Sequence, residues 1–534
     1  MRRVHTENQK RRTRPGAVWL TGGLLVLAAG VNAAWGQEPP GGREVIDGIT
    51  TTRIVQGEPY ELAGKRIVFT NWYYIQPGDL DWRNKKGESV YVHGDEGLFD
   101  AYHVGIRAPH GIRLVARKPI VVGPIDLPYR TILQHGGIYK GWTSTEYCES
   151  ADGMHWPTKT QLVFDERNED GVHHVFVDPV APPAERFKAV WVGHISRAEF
   201  ETFRRQRPDG WEPRALFLLG EKDQVTCLRG SVSPDGIRWT TLPDPLVVEY
   251  SDTLNTAYYD GVLKKYVLYT RFWSVGPRTD RLPPDIRNCW TGVGRRAIGR
   301  SESGDFRRFP PSAMILEPTP DMLPSEVLYT NCRTTVPGAP DHHLMFPAVW
   351  NASIDDTTRI VMASSHDGRV WHWVPGGDLL QTQPFGQWDG GCIWVNPELI
   401  ELPNGSWALP YTGHNVPHKY PRGQRKAANG YAVWPKGRLV AVAADGLGQF
   451  TMIPIMAPGR VLKINAVTQR TGWVKAEVVG AAGRSLAECQ PLVGDQHWTQ
   501  LTWKDGSDLG VEQGRPITLK FELYQARLFG LEFE

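Results

Sequence analysis

Along most of this chain, apolar residues come in short β-type runs separated by tight-turn dipeptides, without the 3.6-residue spacing of an amphipathic helix. KKYVLYTRFW (264–273) follows Asp260-Gly261, and SWALPYTGH (406–414) follows Asn404-Gly405. Asp-Gly or Asn-Gly ahead of aromatic and β-branched residues is a strong hairpin signal, because Gly and Asn tolerate the positive φ of the turn. Near the C-terminus, ITLKFEL (517–523) alternates strictly, with Ile517, Leu519, Phe521 and Leu523 on one face of a half-buried strand. VLKINAV, GWVKAEVV and ARLFGLEFE read similarly. The pattern predicts an all-β protein.

One phrase recurs between these runs. S-A-D-G-M-H-W (150–156), S-P-D-G-I-R-W (233–239) and S-H-D-G-R-V-W (365–371) are near copies; S-E-S-G-D-F (301–306) and A-A-D-G-L-G-Q-F (443–450) are weaker ones. An Asp that binds backbone N–H groups of its own turn, followed by a Gly with positive φ, makes a compact turn. The Trp beyond it folds back between neighbouring sheets. The phrase resembles the Asp-box of propeller blades, and five copies predict a five-bladed β-propeller over 116–453. These aspartates then build turns on the rim, away from the channel. PIMAPGR (454–460) reads as a linker and 460–534 as a C-terminal β-sandwich; 43–115 is β-rich, lacks the phrase, and packs on the sandwich or braces the first blade.

The first residues stand apart. Arg2, Arg3, Lys10, Arg11, Arg12 and Arg14 precede an apolar stretch at 17–34, with small residues placed for cleavage before Gln37. Residues 1–36 therefore read as a secretory signal peptide, which places the mature chain in the periplasm or outside the cell. No later segment is apolar enough to form an integral membrane span. The balance of 60 Lys and Arg against 58 Asp and Glu leaves no basic footprint for nucleic acid. Cys148, Cys227, Cys289, Cys332, Cys392 and Cys489 are too far apart for a CxxC metal site. Export permits disulfides, but only Cys489 falls in the sandwich, so three complete bridges are not expected.

Chemistry in a propeller belongs on the innermost strands, before the hairpin turn and away from the rim. Three carboxylates occupy such positions: Asp178 in V-F-V-D-P, Asp252 in Y-S-D-T-L-N and Glu398 in W-V-N-P-E-L-I, lying 55, 49 and 45 residues ahead of the next copy of the phrase. Asn255, Arg271, Asn331, Asp389, Trp394 and His414 are candidate substrate-binding residues, the polar ones for hydroxyl or carboxylate groups and the Trp for a sugar face. His173-His174, His342-His343, and His414 with His418 raise a rival reading, a metal site or a lyase base. Pro417 denies H-N-V-P-H the helix on which that spacing would bind metal, so neither metal nor cofactor is expected.

The wording V-F-V-D-P, S-D-T-L-N and Y-T-N (329–331) resembles the five-bladed propeller superfamily of glycoside hydrolases. That superfamily includes invertases, levansucrases and arabinanases, and planctomycete-type bacteria carry similar exported relatives. The resemblance covers about residues 120–534. It implies a carbohydrate substrate and three channel carboxylates: Asp178 as the stabiliser matched to the invertase-type R-D-P, Asp252 as base or nucleophile, Glu398 as proton donor. The N-D-P-N-G motif and the Glu-Cys pair of invertases are absent. A non-catalytic carbohydrate-binding propeller and a polysaccharide lyase using channel histidines are the alternatives.

Overall fold

The computed structural model describes residues 59–77, 109–165, 168, 171–218, 223–274 and 294–534, with a strand pair at Val45–Ile46 and Ile49–Thr50. The proposed signal segment and Cys289 lie outside them. Strand dominates, with one α-helix among the described residues, and none is long and apolar enough to cross a membrane. The helix, Arg197–Gln206, escaped the reading above. Its signal was a capping box, in which the Ser196 side chain accepts from the Glu199 N–H and Glu199 returns a bond to Ser196.

Five antiparallel units follow one another along the chain. The first comprises Thr131–His135, Ile138–Trp142, Glu146–Ser150 and Thr158–Gln161. The second is His174–Val177, Phe187–Ser196, Gln224–Ser233 and Arg238–Thr241, and the third Thr256–Asp260, Lys265–Trp273, Arg296–Ser303 and Ala313–Leu316. In the fourth unit, segments 326–336, 339–351, 358–365 and 372–381 form two four-stranded sheets in tandem. The fifth takes Cys392–Val395 with Ile400–Glu401, then Ser406–His414 and Ala427–Pro435. Its outer strand is Ile120–Ile125, from ahead of the first unit.

Apolar clusters between successive units set their order. Trp142, Val175 and Trp239 join the first to the second; Phe176, Leu228 and Leu268 the second to the third; Val267, Ile298 and Met345 the third to the fourth. Phe346, Ile393 and Leu409 join the fourth to the fifth, and Ile132, Leu402 and Tyr431 the fifth back to the first. The order is therefore cyclic.

Four copies of the repeated phrase lie between the third and fourth strands of the first four units. In the three full copies the Asp Oδ1 accepts two backbone N–H groups, as when Asp235 takes those of Ile237 and Arg238 at 2.8 Å each. Gly153, Gly236 and Gly368 hold φ of 73°, 81° and 67°. Their carbonyls accept bonds from Tyr431, Trp142 and Tyr269 of the preceding unit, so each turn also cements two units. The fifth copy departs from expectation. Residues 443–450 sit inside the strand Val440–Thr451, at a bulge, where exposed Asp445 pairs with Arg113.

That strand belongs to a six-stranded C-terminal sheet with Leu462–Val478, Asp495–Gln500 and Leu519–Phe533. Arg66–Val68 and Arg113–Ala116 add to the same sheet, so the N-terminal segment is woven into it. The five described cysteines are buried free thiols, and burial pushes the Cys227 thiol up to about 12.

The turns carry a pH signature. His155, through its side chain and backbone, and the Met154 N–H hold the Asp152 carboxyl below its ordinary value. Burial alone would raise Asp235 and Asp367, but backbone N–H bonds and the Ser233 and Ser365 hydroxyls outweigh it, and both are lowered. Stability from a depressed carboxyl is complete above its unfolded value near 3.9 and is lost as pH falls through the folded one. Asp235→Ala is expected to cost about 1–2 kcal/mol at pH 7, the size of a lost helix cap. Urea unfolding should show that gap narrowing as pH falls below the unfolded value of about 3.9; a gap independent of pH would contradict the assignment.

Candidate functional site

The first strands of the units are tied by a chain of polar contacts. Thr131 Oγ1 accepts the Val175 N–H at 3.1 Å, and His174 Nδ1 accepts that of Ala257 at 3.2 Å. Thr256 donates to Asn331 Oδ1 at 2.8 Å. Thr334 Oγ1 accepts the Leu399 N–H at 3.0 Å and donates to Glu398 Oε2 at 3.2 Å. In the first three units starts of strands meet starts, so those first strands run side by side in one direction.

All five first strands contribute to one cavity of about 670 Å³, through Leu133, Phe176, Tyr258, Arg333 and Glu398 among others. Glu398 also lines a neighbouring space of about 790 Å³ against Arg66 and Lys436. Glu398 has φ of +81°, a conformation that strains a residue with a side chain and that persists only where its surroundings enforce it. Because His174 Nδ1 accepts a backbone N–H, the ring hydrogen sits on Nε2. Among the described residues that atom has no hydrogen-bond partner, and it faces Glu398 Oε1 at 3.9 Å.

Two further buried carboxylates face this cavity. Asp341 Oδ2 accepts the Tyr60 hydroxyl at 3.0 Å and the Ala63 N–H at 3.1 Å, leaving Oδ1 without a hydrogen bond among the described residues. Asp260 is occupied by its own turn, through the N–H groups of Val262 and Leu263. The Arg333 guanidinium covers the Tyr258 ring at 3.2 Å and bonds His343 Nδ1 at 2.5 Å; burial and then the Arg333 charge hold His343 well below the usual imidazole range. Asp367, expected on the rim, also lines this cavity.

The expected carboxylate triad is not assembled. Asp178 follows the trailing end of the second unit's first strand, its side chain fully buried, bonded to Tyr266 at 2.8 Å and Lys188 at 3.3 Å. It ties the second unit to the third. Asp252 lies ahead of the leading end of the third unit's first strand, paired with buried Arg271, which also donates to the Tyr250 carbonyl. Only Glu398 of the three lines the cavity. V-F-V-D-P and S-D-T-L-N put their aspartates at opposite ends of adjacent strands, which a count along the chain could not reveal.

The other candidates divide similarly. Asn255 folds onto Ser251 and Thr253 within its own turn, and Asn331 staples the third unit to the fourth through the Leu254 and Tyr269 carbonyls. Asp389 is wholly buried, with Tyr411 donating to one oxygen; burial pushes its carboxyl up. Trp394 packs on Tyr329 and His418, and His414 Nε2 meets Arg425 at 3.2 Å, at the leading ends of the strands. The histidines lie apart instead of forming one cluster: His174 faces Glu398, His342 bonds Thr70 at 2.5 Å, and His343 joins Arg333. Among the described residues no group of three His, Cys, Asp or Glu is disposed to hold a metal. Asp341, which shares the cavity with Glu398, and His174, which faces it, escaped the reading in those roles; the doubled histidines of H-H-V and D-H-H were their only trace.

No family model matches the chain, and no curated protein does. Among solved structures, it is similar to a thermostable family-43 glycoside hydrolase at 12% identity, over 60% of this chain and 96% of that one, with a TM-score of 0.39. A xylan β-1,4-xylosidase from Bacillus halodurans is 10% identical over 78% of this chain and 99% of its own, with a TM-score of 0.36. A family-32 β-fructofuranosidase from Bombyx mori is 10% identical over 79% and 95%, with a TM-score of 0.33.

Proposed function

We propose that the protein is an exported five-bladed β-propeller with a C-terminal β-sandwich that cleaves glycosidic bonds in a poly- or oligosaccharide. One observation carries this reading. Strands from all five units converge on a single cavity whose carboxylates include Glu398 and Asp341, each with one oxygen free of hydrogen bonds among the described residues. Glycoside cleavage needs such a pair, one protonated to release the leaving group and one ionised to attack or to activate water. Glu398 is the proton donor, with the His174 N–H beside it to steady the carboxylate left after transfer. Asp341 takes the second role, held in place by Tyr60 and Ala63.

Digestion of a glycan panel tests this. Reducing ends released from at least one neutral or acidic polysaccharide support the hydrolase. Unsaturated products would replace it with a lyase, and binding without turnover with a carbohydrate-binding propeller.

A further inference from the structure

The loop between the second and third strands of the fifth unit, H-N-V-P-H-K-Y-P-R-G-Q-R-K (414–426), contains four Lys or Arg, two His and no acidic residue. It folds back at the leading ends of the first strands, where the His418 N–H donates to the Asp356 carbonyl at 3.1 Å. The His418 ring lies 5.0–5.1 Å from those of Tyr329, Trp350 and Trp394. His418 Nε2 reaches the Tyr329 hydroxyl at 3.1 Å. Nδ1 of His414 and Nδ1 of His418 are both buried without a partner among the described residues.

Half-buried Arg425 is the key group. Its partners are His414 Nε2 at 3.2 Å and the His418 carbonyl at 3.4 Å; among the described residues no carboxylate comes within 4.0 Å of it. Beneath, the Arg296 guanidinium lies 4.5 Å from the Tyr329 ring centre, its pKa lowered to about 10 by burial and then by Arg271. Burial, Lys419 and Arg425, in that order, push His418 down to about 3. A guanidinium satisfied only by an imidazole and a carbonyl, with buried Arg296 acting on the same His418, favours an incoming anion. Exposed Tyr420, beside exposed Phe385, supplies ring surface in the same loop.

We propose that this loop binds an anionic saccharide, with Arg425 taking a sugar carboxylate or sulfate and Tyr420 covering the adjoining ring. The saccharide half rests on the glycan reading above, whereas the anion half rests on the loop itself. The site lies at the leading ends of the strands, apart from the Glu398 cavity, so it anchors the chain without taking part in cleavage.

Calorimetric titration of the full chain tests this with an oligogalacturonate, a sulfated carrageenan fragment and a neutral xylo-oligosaccharide of matched length. At least one anionic probe is expected to bind about tenfold or more tighter than the neutral one, and to weaken as salt rises. The anionic probe that binds separates the carboxylate from the sulfate source. Arg425→Gln should lose about tenfold for that probe, as expected for one charge-assisted contact, with neutral binding unchanged and Arg425→Lys intermediate. Equal binding of neutral and anionic probes would overturn the anionic inference and leave the glycan reading standing. Loss of neutral and anionic binding together in Arg425→Gln, or no binding of any probe by wild type, would overturn it as well; the last result would also count against the glycan reading.

Discussion

Glu398→Gln is expected to lower glycan turnover by about a hundred- to ten-thousand-fold, the usual worth of a positioned acid–base group. The exchange keeps the shape of the side chain and the φ of +81°, and Thr334 can still donate to the amide oxygen. Thermal unfolding should therefore match wild type. Full turnover in this variant would sink the assignment of Glu398 as proton donor. Loss of turnover with a lowered melting temperature would point instead to a structural role at the strained turn.

The second large effect falls on stability. Asp178→Asn is expected to cost about 3 kcal/mol, the lower end for removing one partner of a buried ion pair. The side chains of Lys188 and Asp178 are 2% and 0% exposed, so the substitution strands an ammonium where water cannot reach it. Glu185, 3.3 Å away, softens the loss, which is why the lower end applies. Urea unfolding at neutral pH measures it. Activity per folded molecule should persist, because Asp178 lies outside the cavity. An equally stable but inactive variant would restore the catalytic role that the V-F-V-D-P wording first suggested.

Local chemistry made much of this fold legible. Asp235-Gly236 and its two full copies announced their turns because the Asp–backbone bonds and the positive φ are contained within a few residues. The fifth copy misled, since A-A-D-G-L-G lacks the Ser whose hydroxyl binds the Gly N–H in the full copies. Bulge and turn then share the same residues. Contacts that join distant parts of the chain left no local trace. Nothing near Asp341 foretells its bond to Tyr60, 281 residues away, or near His174 its approach to Glu398. Glu398 was reached because its P-E-L-I strand precedes an Asn-Gly turn. Asp252 and Asp178 matched the same template in spacing, but spacing carries no information about which end of a strand a residue occupies.

The outer strand of the fifth unit, Ile120–Ile125, has a consequence for how the molecule is made. It leaves the ribosome before any of the five units, yet its pairing partner, Ala427–Pro435, is synthesised some three hundred residues later. The first units can assemble as they emerge, while this strand waits as an unpaired edge open to wrong partners. Once paired, it works as a clasp: parting the first unit from the fifth means breaking a ladder between the two ends of the ring. Such a closure resists unzipping from either end, and the folded lifetime would then be governed by the rate of unclasping more than by the net free energy of folding.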